Sequence, residues 1–176
     1  EKTAEAFHGE WLRSGDVGMV LPNGALKIFD RAKNIFKLSQ GEYIAPEKIE
    51  NVYIQSEWVL QVWIHGDSLH DWIVAFVVLD PDRIKKYTAE TGKEVTDEVR
   101  DSEEMKMTVL KDLMKLAGEN KLSSLEKPKQ ITLLAEQFSQ ENDLLTPTMK
   151  LKRNIAKQYY KESIDKMYTL PPMNTK

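Results

Sequence analysis

The stretch SGDVGMVLPNGALKIFDRAKNIFKLSQGEYIAP, from Ser14 to Pro46, decides the first part of the fold. Two runs of alternating apolar residues, 17–21 and 25–29, flank the turn sequence PNG, and this pattern predicts a β-hairpin. A short extended piece follows at 35–38 and ends at QGEY. A hairpin needs the turn and the alternation, but not the isolated acidic and basic residues that the stretch also carries. Those residues are therefore the first candidates for a functional site.

The rest of the chain alternates between amphipathic helices and apolar strands. Pro46 suits the first turn of a helix over about 46–56, where the missing N–H of a proline costs no hydrogen bond. The pattern favours an α+β fold with a roughly three-stranded antiparallel sheet flanked by helices, and a boundary near 31–33. The predicted strands are 59–65, 72–79 and 129–134, and the other predicted helices are 1–8, 80–92, 103–120 and 154–167.

The composition excludes several classes of protein. With 25 basic and 28 acidic side chains, the net charge of −3 gives no general attraction to nucleic acid or to an anionic membrane. The absence of cysteine excludes disulfides, cysteine-based zinc sites and a cysteine nucleophile. No apolar run approaches the roughly 18 residues of a membrane span. Because the sequence begins without Met and within a helical pattern, we expect a fragment of a longer chain.

Five residues of the opening stretch could bind a ligand or could be ordinary structural residues. Asp16 could close an Asx turn, or its carboxylate could accept two hydrogen bonds from a sugar diol. Arg31 could form a weak surface salt bridge, or could donate to a ribose or phosphate oxygen beside that carboxylate. Lys33 and Lys37 could simply protect a strand edge. Gly41 could serve a turn or let the backbone approach a ligand.

A second candidate region is TPTMKLKR at 146–153, a turn before the last predicted helix. Its three cations within four residues suit an anion, although an exposed basic turn would have the same composition. A lysine here would act as a mobile point charge on a phosphate or carboxylate. GDSLHD at 66–71 is interpreted as a hairpin loop rather than a metal site. The three histidines lack metal-ligand spacing and are interpreted as structural: His8, His65 and His70.

Three ordered motifs together resemble the C-terminal part of the adenylate-forming enzymes: WLRSGDVG, GALKIFDRAKNIFKLSQGEYIAPEKIE and LTPTMKLKR. Among these enzymes the motifs are most similar to those of eukaryotic long-chain fatty acyl-CoA synthetases. The resemblance implies that 1–32, with the hairpin, is the remnant of a large N-terminal domain. It also implies that 33–170 is a mobile C-terminal domain and that 171–176 is a tail.

The resemblance also implies roles for residues of the opening stretch. Asp16 and Arg31 resemble the residues that bind the ribose of the nucleotide. Lys33 matches the hinge about which the C-terminal domain rotates between two half-reactions. Lys37 is a candidate catalytic residue for the thioester step. It enters the active site with the loop of Gly41, Glu42 and Tyr43, which is the expected CoA segment.

Lys150 falls where the family has its adenylation lysine. Most relatives have Gly-Lys-Ile at this motif, whereas this chain has Met149, Lys150 and Leu151. The long-chain enzymes share this form, so Lys150 is the expected catalytic residue. Lys152 remains an alternative, because the glycine that would mark the position is missing.

For the longer parent, the resemblance implies an ATP-dependent acid–thiol ligase that makes acyl-CoA through an acyl-adenylate. The expected ligands are long-chain fatty acid, ATP or AMP, and CoA, with Mg²⁺ bound outside this fragment and no metal site within it. The expected partner is the parent's own N-terminal domain, and the fragment alone should be inactive. The location implied is intracellular, on the cytoplasmic side, with the parent on the endoplasmic reticulum or another membrane. The alternatives are a ligase for medium-chain or aryl acids and a non-catalytic interaction domain.

Overall fold

The computed structural model describes residues 6–173, which contain nine short strands and six α-helices. The first strands form two hairpins, and the remaining elements form a small α+β unit around one three-stranded sheet. The strands are β1 (Phe7–His8), β2 (Trp11–Leu12), β3 (Asp16–Val20), β4 (Leu26–Arg31), β5 (Phe36–Lys37), β6 (Tyr43–Ile44), β7 (Val59–His65), β8 (Val74–Leu79) and β9 (Gln130–Leu134). The helices are α1 (Pro46–Tyr53), α2 (Pro81–Thr91), α3 (Asp97–Asp101), α4 (Glu103–Glu119), α5 (Arg153–Tyr159) and α6 (Lys161–Thr169).

The predicted hairpin is present as β3 and β4, which pair in antiparallel register from Asp16 opposite Arg31 to Val20 opposite Leu26. The predicted helix at 1–8 is wrong for residues 6–8, the part of it that the structure describes. Phe7 and His8 form a strand that pairs with β2, because Gly9 adopts a left-handed φ of 61° and reverses the chain. The remainder of that predicted helix, 1–5, lies outside the described residues.

The central sheet has the order β7-β8-β9, and the predicted α+β fold with three strands is confirmed. One detail of the prediction is corrected: β9 pairs parallel to β8, whereas β7 and β8 are antiparallel. The long connection through α2, α3 and α4 returns the chain to the same end of the sheet, as a parallel partner requires. Helix α3 was not predicted, and the last predicted helix is two helices that meet at Tyr160.

Strand β8 lies in the middle of the sheet and is buried on both faces. Ala75 and Val77 belong to one apolar cluster, whereas Phe76 and Val78 belong to the other. The first cluster also contains residues of α1 and α4, and the second contains residues of α5 and α6. This two-sided burial explains the continuous apolar run in the β8 sequence, which has no polar face.

Gly66, just after β7, allows the segment before α1 to lie against the sheet. A Cβ atom at Gly66 would stand 2.5 Å from Phe36 Cε2 and 3.0 Å from Ile73 Cγ2. We expect Gly66→Ala to lower the free energy of unfolding by about 1–3 kcal/mol, the usual cost of overpacking. Chemical denaturation measures this. Gly118→Ala in α4 is the control, because nothing lies within 4 Å of its added Cβ. An unchanged midpoint for Gly66→Ala would contradict the role assigned to this contact.

Candidate functional site

Asp16 and Arg31 face each other at the open end of the hairpin. They are directly paired in the register, and Arg31 Nε lies 3.8 Å from Asp16 Oδ1. Ser14 Oγ accepts a hydrogen bond from the backbone N–H of Asp16, and Gly15 adopts a left-handed φ of 77°. The two charged groups remain accessible, so this pair could present a carboxylate and a guanidinium to the hydroxyls of one sugar.

Asp30, which precedes Arg31, was missed by sequence reasoning although it is the buried acid of this region, with 2% of its surface exposed. Its Oδ1 accepts from the backbone N–H of Arg31 at 2.7 Å and from Asn34 Nδ2 at 3.1 Å. Its Oδ2 accepts from the backbone N–H of Glu47 at 2.8 Å. The carboxylate therefore ties the end of the hairpin to the turn at Lys33 and to the first turn of α1.

Glu47 completes this connection. Its Oε1 accepts a 2.7 Å hydrogen bond from Asn34 Nδ2. Burial raises the pKa of Glu47, and the nearby Asp30 carboxylate raises it further, while Arg153 and Lys150 oppose the rise. Arg153 and Lys150 therefore lie near enough to Glu47 to act on its charge.

Lys37 lies on a separate small hairpin made by β5 and β6. It pairs with Tyr43 across the two strands, and its Nζ lies 5.6 Å from the centre of the Tyr43 ring. Gly41 has φ 99°, and its N–H donates to the Leu38 carbonyl, so the loop requires glycine at this position. Tyr43 is 69% exposed. The predicted group of Lys37, Gly41, Glu42 and Tyr43 is thus brought together at the surface.

The turn that carries Lys150 is closed by hydrogen bonds across its base. The Thr146 N–H donates to the Lys150 carbonyl, the Lys150 N–H donates to Thr146 Oγ1, and Leu145 pairs with Leu151 in an antiparallel bridge. Met149 has φ 60°, in the left-handed region that favours glycine. Met149 therefore has a backbone conformation that is uncommon for a residue other than glycine.

Lys150 and Lys152 differ in what surrounds their ammonium groups. Lys152 Nζ lies 2.5 Å from Asp143 Oδ1, and its backbone N–H donates to the Leu144 carbonyl. Lys150 is exposed at the end of the turn, and no ion pair within residues 6–173 holds its side chain. Lys150 is therefore the lysine whose side chain can reach outward.

Arg153, three residues after Lys150, anchors this turn to the body of the domain. Its two terminal nitrogens donate to the two carboxylate oxygens of Glu50 at 2.8 and 2.6 Å. Glu50 Oε1 also accepts from the backbone N–H of Ile64 at 2.9 Å. Helix α1, strand β7 and the start of α5 are joined at this one carboxylate, which the sequence pattern did not reveal.

The predicted site residues thus form three groups on the surface. Asp16 with Arg31 is one group and Lys37 with the 41–43 loop is another, while Lys150 stands on the basic turn. Lys33 lies in the turn after β4, where the Asn34 N–H donates to the Arg31 carbonyl. Within the described residues, no hydrogen bond or ion pair joins Asp16 or Lys37 to Lys150.

Other features bear on the class of site. Between residues 6 and 173, no group of three or more histidine, aspartate or glutamate side chains could hold a metal ion. No described helix has the length and apolar character needed to cross a bilayer. The described part of the chain thus presents an accessible Asp16–Arg31 pair, a turn at Lys33 and an exposed Lys150 on its surface.

The family is shown by comparison with known proteins. The model of the AMP-binding enzyme C-terminal domain matches residues 48–139, slightly more than half of the chain. The chain therefore belongs to the family of AMP-binding enzyme C-terminal domains.

Similar proteins with curated names are much longer than this chain. It is 47% identical over 170 residues to human long-chain-fatty-acid–CoA ligase 1, covering 96% of the chain and 24% of the ligase. It is 48% identical over 171 residues to the peroxisomal long chain acyl-CoA synthetase 7 of Arabidopsis thaliana, with the same coverage. The chain thus spans about a quarter of the length of these relatives.

Solved structures have the same fold. The adenylation domain of a carboxylate reductase from Mycobacterium chelonae matches with a TM-score of 0.81 and 30% identity, covering 96% of this chain and 25% of that one. A carboxylic acid reductase domain from Segniliparus rugosus, solved with AMP and a co-purified carboxylic acid, matches equally well at 32% identity, covering 96% and 25%.

Proposed function

We propose that this chain is the C-terminal part of an ATP-dependent long-chain fatty acyl-CoA synthetase. The parent would join a fatty acid to AMP with release of pyrophosphate, and would then transfer the acyl group to CoA. The observation that carries the proposal is the turn of Met149 and Lys150. The left-handed Met149 is followed by the exposed Lys150, and Arg153, three residues later, pairs with Glu50. The 44–48% identity to long-chain ligases over nearly the whole chain supports this reaction over the medium-chain, aryl and non-catalytic alternatives.

Lys150 would act in the first step. When the fatty acid carboxylate attacks the α-phosphorus, charge develops on the acid, the phosphate and the departing pyrophosphate. A lysine placed against these oxygens stabilises the transition state more than the ground state. Asp16 and Arg31 would hold the ribose hydroxyls of the same nucleotide, and Mg²⁺ would be held by the preceding part of the parent.

Lys33 would be the hinge between the two steps. The Asp30 hydrogen bonds to Asn34 and to the Glu47 backbone span the turn that contains Lys33. Rotation about this turn would withdraw Lys150 and bring Lys37 and the 41–43 loop to the nucleotide. Lys37 lies on the hairpin of β5 and β6, whereas Lys150 lies on a separate surface turn. This separation fits a domain that uses two faces, one in each step.

The N-terminal hairpins would pack on the large domain of the parent. Several of their apolar side chains are exposed, including Trp11 at 78% and Val20 at 69%. A group of apolar side chains exposed to this degree is unusual on a free surface and typical of an interface. We therefore assign 1–32 to the end of the large domain and 33–170 to the domain that rotates. We also propose an intracellular location for the parent, on the cytoplasmic side and at the endoplasmic reticulum or another membrane.

A Lys37→Ala variant of the full-length parent tests the two-face assignment. We expect the thioester step to slow by roughly a hundredfold, because a preorganised charge is removed from that face, while adenylation is retained. The two half-reactions are measured separately, by pyrophosphate release and by conversion of supplied acyl-adenylate with CoA. Lys85→Ala, on the exposed side of α2, is the matched control. Equal loss of both steps in Lys37→Ala would refute the assignment.

A further inference from the structure

A cleft of about 600 Å³ opens between residues 33–36, the end of β7 and the start of α5. Such a volume is typical of small-molecule sites. This cleft is distinct from the three surface groups of predicted site residues described above. Its lining does not include Asp16, Lys37 or Lys150. We call it the basic cleft, and its polar lining consists of Lys33, Asn34, His65, Lys152, Arg153, Asn154 and Lys157.

The charge of the basic cleft is unusual for this chain. Four cationic side chains line it, and none of the described residues that line it is aspartate or glutamate, although the chain has more acidic than basic residues. Two of the cations are already paired, Lys152 with Asp143 and Arg153 with Glu50. Lys33 and Lys157 have no such ion pair within the described residues, so their charge is available to a ligand.

His65 gives a second, independent indication. Only 6% of the surface of this residue is exposed, and its Nε2 has no hydrogen-bond partner in the described protein. A buried polar atom without a hydrogen-bond partner is destabilising, so a ligand that supplies a partner would be favoured. Burial lowers the pKa of His65 to about 4, and the nearby Lys157 adds to this, so the imidazole is neutral near pH 7. A neutral imidazole can donate or accept one hydrogen bond.

The other half of the lining is apolar. Phe36, Trp63, Leu151 and Ile155 contribute to it, and Gly66 allows Phe36 to lie close to the sheet. We infer that the basic cleft binds a phosphate ester of an apolar or aromatic group, with the phosphate between Lys33 and Lys157 and the apolar part against these side chains. A phosphate is favoured because several oxygens can accept from separate ammonium and amide groups at once.

The test is titration of the isotope-labelled 176-residue chain with phenyl phosphate, followed by NMR. We expect a dissociation constant of about 1 mM, as a small ligand of this kind allows. The amide signals of Gly66, Asn154 and Lys157 should shift. Inorganic phosphate, which lacks the ring, and phenol, which lacks the charge, should each bind at least several-fold more weakly.

Lys157→Ala should weaken phenyl phosphate binding roughly tenfold, because one charged hydrogen bond is lost. Lys161→Ala is the matched control: it removes the same charge from a lysine of α6 that pairs with Asp165 outside the cleft. Equal weakening by both variants would overturn the inference, since it would indicate general attraction of anions. Shifts confined to Asp16, Arg31 and Lys150 would also overturn it, while leaving the proposed synthetase function intact. Inorganic phosphate binding as tightly as phenyl phosphate would refute the ligand class.

Discussion

Lys150→Ala in the full-length parent should slow formation of the acyl-adenylate by roughly 10²–10³-fold, the usual effect of removing one preorganised group that stabilises transition-state charge. The same variant should still convert supplied acyl-adenylate and CoA to acyl-CoA, because the second step requires this lysine to be withdrawn. Pyrophosphate release and thioester formation, assayed separately, measure the two effects.

Lys152→Ala is the matched control for this experiment, because the two lysines are neighbours on the same turn. Lys152 is held by Asp143, whereas Lys150 projects from the turn after the left-handed Met149. We expect Lys152→Ala to retain most of the adenylation rate. A larger loss in Lys152→Ala than in Lys150→Ala would transfer the catalytic role to Lys152 and refute the position assigned here.

Local signals in the sequence were sufficient for the hairpin and for the helix at Pro46. Both depend on residues a few positions apart, such as PNG between two alternating runs or a proline at the first turn of a helix. The direction of β9 could not be read in this way. It depends on how the connection after β8 crosses the sheet, and an apolar run has the same pattern in either direction.

Asp30 and Glu50 were missed for a related reason. Asp30 binds the N–H of Glu47, 17 positions away, and Glu50 binds Arg153, 103 positions away. In the sequence, both acids look like the exposed charges that surround them. Their role becomes visible only when the fold brings the partners together, because a carboxylate is structural or exposed according to its environment rather than its neighbours in the chain.

Loss of the Glu50–Arg153 pair should have the largest effect on stability. Only 15% and 19% of these two side chains are exposed, and the geometry is bidentate. We expect Glu50→Ala to lower the free energy of unfolding by about 3 kcal/mol, the lower end of the range for breaking a buried pair, since some solvent still reaches both groups. Arg153 would be left without its carboxylate, and the Ile64 N–H would lose its acceptor. Urea denaturation of the 176-residue chain measures the change.

Two further variants separate the ion pair from the general effect of losing a carboxylate. Glu57→Ala removes an acid that is 74% exposed and pairs with Lys86 and Arg83 at the surface, so it should change stability little. Glu50→Gln keeps an acceptor for Ile64 and should lose less than Glu50→Ala. If Glu50→Ala is no more destabilising than Glu57→Ala, the pair does not anchor the turn. The position of Lys150 would then depend on the Thr146 hydrogen bonds and the Leu145–Leu151 bridge, and adenylation by a Glu50→Ala parent would remain normal.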